Sequence, residues 1–126
     1  MPGPPALTRQ ELEIMKIVWE LKSATVRDVY ETLLRHRKIA YTTVLTMMKI
    51  LEQKKYLRRA GGERAFIYQP ARPKSRVIKA MVQEFVNRVF NGSAEPLLVH
   101  LVRDRRLSEE DLERIARLVR ESESNT

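Results

Sequence analysis

Thr42, Thr46, Lys49 and Gln53 follow one another at steps of four, three and four, with Thr43 beside them, so a helix would carry them in one polar row. A threonine hydroxyl can hydrogen-bond a base edge while its methyl packs against the thymine methyl, which is chemistry for reading a major groove. Downstream, Arg58, Arg59 and Arg64 surround the Gly61-Gly62 pair. Guanidiniums on such a tip suit a phosphate or the adjoining minor groove. Upstream lies a second basic run, Arg35-His36-Arg37-Lys38. Arg37 and Lys38 there are candidate phosphate contacts, although cations crowding a last helical turn also suit the helix dipole without any ligand. Threonines at a helix start can be plain caps and surface filler, and charge on a strand edge can serve only to block aggregation. A basic tip directly after the threonine helix favours contact with DNA.

The elements that must position these residues are marked by caps and periodicity. Thr8 with Glu11 forms a T-x-x-E capping box, flanked by Leu7 and Leu12 as a hydrophobic staple, and predicts a first helix from about Arg9 to Leu21. Leu12, Met15, Val18 and Trp19 share one face, which makes Trp19 a core residue. Thr25 with Asp28 repeats the box, and Val26, Val29, Tyr30, Leu33 and Leu34 supply the stripe of a second helix. It is expected to end in the Arg35 to Lys38 run. In the third helix Val44, Met47, Met48 and Leu51 point inward. After Lys54-Lys55 the period becomes strand-like, and Leu57 to Ala60 with Ala65 to Gln69 read as a hairpin whose glycines supply positive dihedrals at the tip. Phe66 and Tyr68 would face one side and Ile67 the other. A helix pair, a polar reading helix and a basic hairpin together describe a winged helix.

Composition narrows the function. The 126 residues carry a formal charge of +8, unevenly spread: 17 Lys and Arg oppose 7 Asp and Glu up to Lys79, but 7 oppose 9 from Ala80 onward. A polyanion site therefore belongs to the first two-thirds. With no cysteine there is no disulfide framework, thiolate zinc site or thiol nucleophile, and His36 and His100 have no metal-gathering spacing. No cofactor, metal or catalytic residue is expected. The acidic residues fall mainly at helix starts and in the last helix, so a nucleic-acid hydrolase is disfavoured. A winged helix that binds protein and not DNA is the alternative, but it calls for an acidic or apolar third helix, whereas this one has basic flanks. The start, Met-Pro-Gly-Pro-Pro, lacks the apolar core of a signal peptide, and no apolar run reaches membrane-spanning length. A cytoplasmic protein without membrane insertion is expected.

The chain after its first six residues resembles the penicillinase-repressor family, often called BlaI/MecI/CopY. The likeness rests on L-T-x-x-E-x-x-I-M at Leu7 to Met15, V-x-x-V-x-x-x-L at Val26 to Leu33, Y-T-T-V-x-T-M-M at Tyr41 to Met48, and R-A-F-I-Y at Arg64 to Tyr68. The resemblance implies a winged-helix transcriptional repressor that binds as a homodimer to an inverted repeat with TACA and TGTA half-sites, controlling antibiotic-resistance or stress genes. Carried over by position, Thr42, Thr43 and Thr46 face the major groove, and Arg64 is the wing contact. Arg37, Lys38, Lys49, Arg58 and Arg59 join it as candidates for the DNA backbone or the wing. A membrane metalloprotease sensor is an implied partner in some members. The bond it cuts there is Asn-Phe, and His100-Leu101 stands at the matching position, which weakens that implication. Lys55 replaces a glycine that often closes the third helix, and Ile50 replaces an arginine of its second half. The cysteine-rich tail of the copper-responsive branch is missing.

The rest of the chain reads as a helical dimerisation region. Between Pro73 and Asn91 stand Val77, Ile78, Met81, Val82, Phe85, Val86, Val89 and Phe90, too much apolar surface for a solitary helix. Asn91-Gly92 stops it, Ser93 opens a short helix through Leu101, and Ser108 with Asp111 caps a last helix striped by Leu112, Ile115, Ala116 and Val119. A cap folded on its own chain is one way to cover these faces; burial between two chains is favoured, because two-fold dimers commonly read paired half-sites. Ile78, Met81, Val82, Phe85, Val89, Leu112, Ile115 and Val119 are the candidate interface. His100 is expected to be a partly buried surface residue. The expected layout is an N-terminal arm (1–6), a winged helix-turn-helix domain (7–71), a helical dimerisation domain (72–122) and a tail (123–126), mostly α with a small β-hairpin wing.

Overall fold

The computed structural model describes residues 5–61 and 66–124, in the order α1 (Arg9–Leu21), α2 (Val26–Leu34), α3 (Tyr41–Gln53), β1 (Leu57–Arg59), β2 (Tyr68–Pro70), α4 (Lys74–Phe90), α5 (Glu95–Arg103) and α6 (Glu109–Ser124). It is mostly helical with a two-stranded antiparallel hairpin. Packing divides it into a unit up to Ile78 and a second from Lys79.

In the first unit, both expected capping boxes open their helices: Thr8 Oγ1 accepts from the Glu11 N–H at 3.1 Å and Thr25 Oγ1 from the Asp28 N–H at 3.1 Å, with the carboxylates returning the bond. The core beneath them is built from Ile14, Met15 and Val18 of α1, Val29 and Leu33 of α2, and Val44, Met48 and Leu51 of α3, closed by Tyr68. Ile14, absent from the expected stripe, is fully buried, while Leu12, Trp19 and Met47 are half-buried. Trp19 keeps a polar handle, since its indole N–H donates to the Arg72 carbonyl at 3.0 Å. The Arg72 guanidinium donates through Nε to the Lys55 carbonyl at 3.1 Å, so this residue ties the chain leaving the hairpin to α1 and to the end of α3.

Three details differ from the sequence expectation. Helix α2 ends at Leu34, so the basic run Arg35 to Lys38 directly follows its last turn, with the Arg37 N–H bonded to the Leu33 carbonyl at 3.1 Å. The second strand starts at Tyr68, with Leu57 opposite Pro70 and Arg59 opposite Tyr68. Tyr68 is shared: its N–H and carbonyl also bond Ala24 at 2.8 and 2.9 Å, so the segment before α2 acts as a third, one-residue strand. Phe66 lies past the edge of the core that buries Tyr68 and stays 54% exposed. Gly62, Arg64 and Ala65, part of the expected tip, lie outside the described residues; Gly61 takes φ +127°.

The end of α3 accommodates a lysine where glycine would be easiest. Lys55 adopts φ +71°, the Tyr56 N–H donates to the Leu51 carbonyl at 2.9 Å and the Lys55 N–H to the Glu52 carbonyl at 3.1 Å, which is a Schellman closure. Tyr56 and Leu51 are both buried, the apolar contact that accompanies such a closure. A left-handed backbone strains a residue with a Cβ. Lys55→Gly is therefore expected to raise the melting temperature modestly, by the equivalent of about 0.5–1 kcal/mol, as read by thermal denaturation.

A second tie anchors the start of the unit. Glu11 is buried at 4% exposure, and Lys54 Nζ donates to its Oε1 at 2.7 Å and to the Ala6 carbonyl at 3.2 Å; the Tyr56 hydroxyl donates to the Pro5 carbonyl at 2.7 Å. Burial works to raise the Glu11 pKa, but the Lys54 and Thr8 hydrogen bonds and the Lys54 charge together hold it below its ordinary 4.5. Because the folded value is the lower one, the contribution to stability is present above the unfolded pKa and is lost as pH falls through the folded pKa. Lys54→Met, which strands the carboxylate, is expected to destabilise the fold by roughly 1–3 kcal/mol and to flatten this acid-side loss in urea titrations run across pH.

In the second unit, α4 ends at Phe90 with Asn91 at φ +54° and Gly92 at φ +90°, and the Gly92 N–H closes on the Val86 carbonyl at 3.1 Å. The short helix starts at Glu95, with Ala94 as its N-cap and Pro96 in its first turn, not at Ser93. Ser108 and Asp111 exchange the expected box bonds at 3.1 Å each ahead of α6. Val86 is buried, and Phe90 meets the Phe85 ring edge-on at 5.8 Å. Val82 and Val89 remain 50% exposed, and Phe85, Leu98, Val99, Ile115, Leu118 and Val119 are exposed with them. No described helix is long and apolar enough to cross a membrane.

Candidate nucleic-acid interface

Helix α3 is set on its buried side by Val44, Met48 and Leu51, and this fixes what it offers outward: Thr42, Thr43, Thr46, Lys49 and Gln53 are all exposed. Its N-terminus is left open. Ala40 provides no side-chain cap and the first turn has no acidic residue, unlike α1 and α2. Unbonded N–H groups and a positive dipole end beside the threonines favour an approaching anion. Tyr41 opens the helix half-exposed and packs edge-on against Tyr30 of α2 at 5.4 Å.

The basic candidates are not equivalent. Lys38, Lys49 and Arg58 are exposed, and Arg58 donates to the Gln69 side chain at 3.2 Å across the hairpin. Arg37 is held by Glu13 of α1 at 2.7 Å, with its Nε buried and without a hydrogen-bond partner among the described residues. This pair lies beside a groove lined by Arg9, Gln10, Leu12, Glu13, Lys16 and Arg37. Arg59 donates through Nε to Glu52 at 2.8 Å, and its guanidinium lies 4.5 Å from the centre of the Phe66 ring. Arg37 and Arg59 would have to exchange a carboxylate for a phosphate. Neither pairing is visible in sequence, because Glu13 and Glu52 lie on helices 24 and seven residues away and their side matters only once the chain is folded. Burial raises the Tyr68 pKa, Glu52 adds to the rise and Arg59 opposes it, a sign of how closely these charges gather at the base of the hairpin.

The profile described as penicillinase repressor matches residues 7–121. The chain belongs to the penicillinase repressor family. Among its relatives, the penicillinase repressor of Bacillus licheniformis is 26% identical over 117 residues, spanning 93% of this chain and 91% of that one. The transcriptional regulator BlaI of Mycobacterium tuberculosis is 32% identical over 94 residues, 73% of this chain and 68% of its own. The solution structure of the Bacillus licheniformis BlaI monomeric form in complex with the blaP half-operator superposes with a TM-score of 0.51 at 29% identity, covering 60% of this chain and 92% of that one.

This family member is a DNA-binding transcriptional repressor with a winged-helix domain. In the repressor, Ile50 is half-buried on α3, a side chain turned partly inward. The His100-Leu101 bond lies within α5, with Leu101 half-buried. His100 is exposed, not partly buried, since no residue of α5 is buried within one chain, and its ring is 6.3 Å from that of Phe90. Of the candidate dimer residues, Val82, Phe85, Val89, Ile115 and Val119 are exposed, whereas Ile78, Met81 and Leu112 are half-buried.

Proposed function

We propose that two copies of this repressor pair through their second units and occupy an inverted-repeat operator, each inserting α3 into a major groove so that Thr42, Thr43 and Thr46 meet base edges. The observation that carries the reading is the apolar surface on the second unit, with Val82 and Val89 each 50% exposed, which that unit does not cover by itself. A second copy would bury it and hold the reading helices about one DNA turn, ~34–36 Å, apart. The relative solved with a half-operator in its monomeric form supports the same logic, since a full operator would then take two chains. Lys38, Lys49, Arg58 and the wing arginines, Arg64 among them, would neutralise phosphates.

Repression would act by occupancy, in the cytoplasm, without chemical turnover. The relatives' names support antibiotic-resistance genes as its targets. A membrane metalloprotease partner cutting at His100-Leu101 would need α5 to open locally, because that bond sits in regular helix. The exposed polar face of α3 favours DNA over a protein partner. Light scattering on complexes with duplexes carrying one or two half-sites is the test: two chains on the two-site duplex are expected. One chain on either duplex would overturn the dimeric reading.

A further inference from the structure

The base of the wing holds three residues whose arrangement is unexplained by folding alone. Phe66 is a large apolar side chain left 54% exposed, and on its ring lies the guanidinium of Arg59 at 4.5 Å. Arg59 is simultaneously bonded to Glu52 on the last turn of α3 at 2.8 Å. Alternation explains how they meet. Arg59 pairs with Tyr68, so both project from the same side of the hairpin, and Phe66, two residues before Tyr68, projects from that side as well. Tyr68 fills the core and Phe66 lies beyond it, linked through Arg59 to Glu52 in the last turn of the reading helix.

We propose that Phe66 is a positioning residue for DNA binding: its ring holds the Arg59 guanidinium at the junction of α3 and the wing, where it passes from Glu52 to a backbone phosphate of the operator. The inference rests on the DNA-binding reading. An arginine tethered only by its flexible stem loses rotamer freedom on meeting a phosphate, whereas one stacked on an aromatic face is already confined to a plane and presents its fork outward. Glu52 is the counter-charge of the unbound state. It keeps the stacked cation paired until a phosphate, which offers a bidentate acceptor, replaces it. The wing and the reading helix are thereby linked through one side chain, so a phosphate bound at Arg59 also fixes how deeply α3 sits.

The test is anisotropy on the operator duplex as a function of salt, for wild type, Phe66→Leu, Phe66→Trp, Arg59→Gln and the double variant Arg59→Gln/Phe66→Leu. Phe66→Leu is expected to weaken binding several-fold and to lower the salt slope by nearly one, as Arg59→Gln does by removing one phosphate contact. Phe66→Trp, which keeps a face for the guanidinium, should restore both, and the double variant should be no weaker than Arg59→Gln. Arg59→Lys probes the same contact without touching Phe66 and should behave like Phe66→Leu in affinity. Wild-type affinity and slope in Phe66→Leu would overturn the proposal. So would losses in the two single variants that multiply in the double one, since Phe66 would then act independently of Arg59. Failure of the wild type to prefer operator DNA would instead remove the reading beneath it.

Discussion

Val82→Glu combined with Val89→Glu is expected to yield a folded monomer that has lost most of its affinity for a two-site operator. Both side chains are half-exposed on α4, seven residues apart and so on one helix face, with Phe85 between them. A glutamate there is solvated in one chain and would be buried without a cation between two. Linking two half-site contacts makes the second intramolecular, and losing that link should weaken operator binding by about 10²- to 10⁴-fold. Sedimentation would show the mass of one chain, while far-ultraviolet circular dichroism should be unchanged because neither valine lies in a core. A variant that remains dimeric would place the interface on a different face, α6 being the next to examine through Ile115 and Val119.

Replacing Thr42 and Thr46 together by Ala should leave non-specific DNA binding intact and remove most of the preference for cognate sequence. Neither threonine enters the core of α3, and Ala favours helix, so the fold should keep or gain stability. A good bidentate base contact is worth about 1–3 kcal/mol; a single threonine hydroxyl sits near the lower end. With two threonines in each of two subunits, the ratio of cognate to scrambled affinity should fall roughly a thousandfold. No charge is removed, so the salt slope should stay where it was. Lys49→Gln is the contrast, expected to weaken binding to both duplexes and to shallow the slope. An unchanged affinity ratio in the threonine double variant would mean that another face of the first unit reads the bases.

Much of the first unit was legible because its signals are local. Thr8 with Glu11 and Thr25 with Asp28 fix two helix starts, and the inward spacing of Val44, Met48 and Leu51 dictates which side of α3 is polar. What was not legible depends on contacts between elements. The capping role of Glu11 can be read from its spacing, but its burial against Lys54, 43 residues away, cannot. The same holds for Arg37 and Arg59, which a sequence offers as free cations and the fold pairs with Glu13 and Glu52. Strand alternation put Phe66 on the side of Tyr68 but could not say where the core ends, and that edge decides whether the ring is packing material or surface. Ala24 gave no strand signal because a one-residue bridge has no period. In the second unit the apolar stripes are as clear as in the first, yet stripes alone do not name the chain that covers them.

The most direct test of a sequence-reading dimeric repressor is fluorescence anisotropy with a duplex carrying the TACA/TGTA inverted repeat and with its scrambled counterpart, each titrated at two salt concentrations. Binding to the repeat is expected to be tighter by at least about 10³-fold and to persist at the higher salt, while the scrambled duplex is released as counterions compete for the same arginines and lysines. Equal affinities for both duplexes, falling together as salt rises, would contradict base reading by α3.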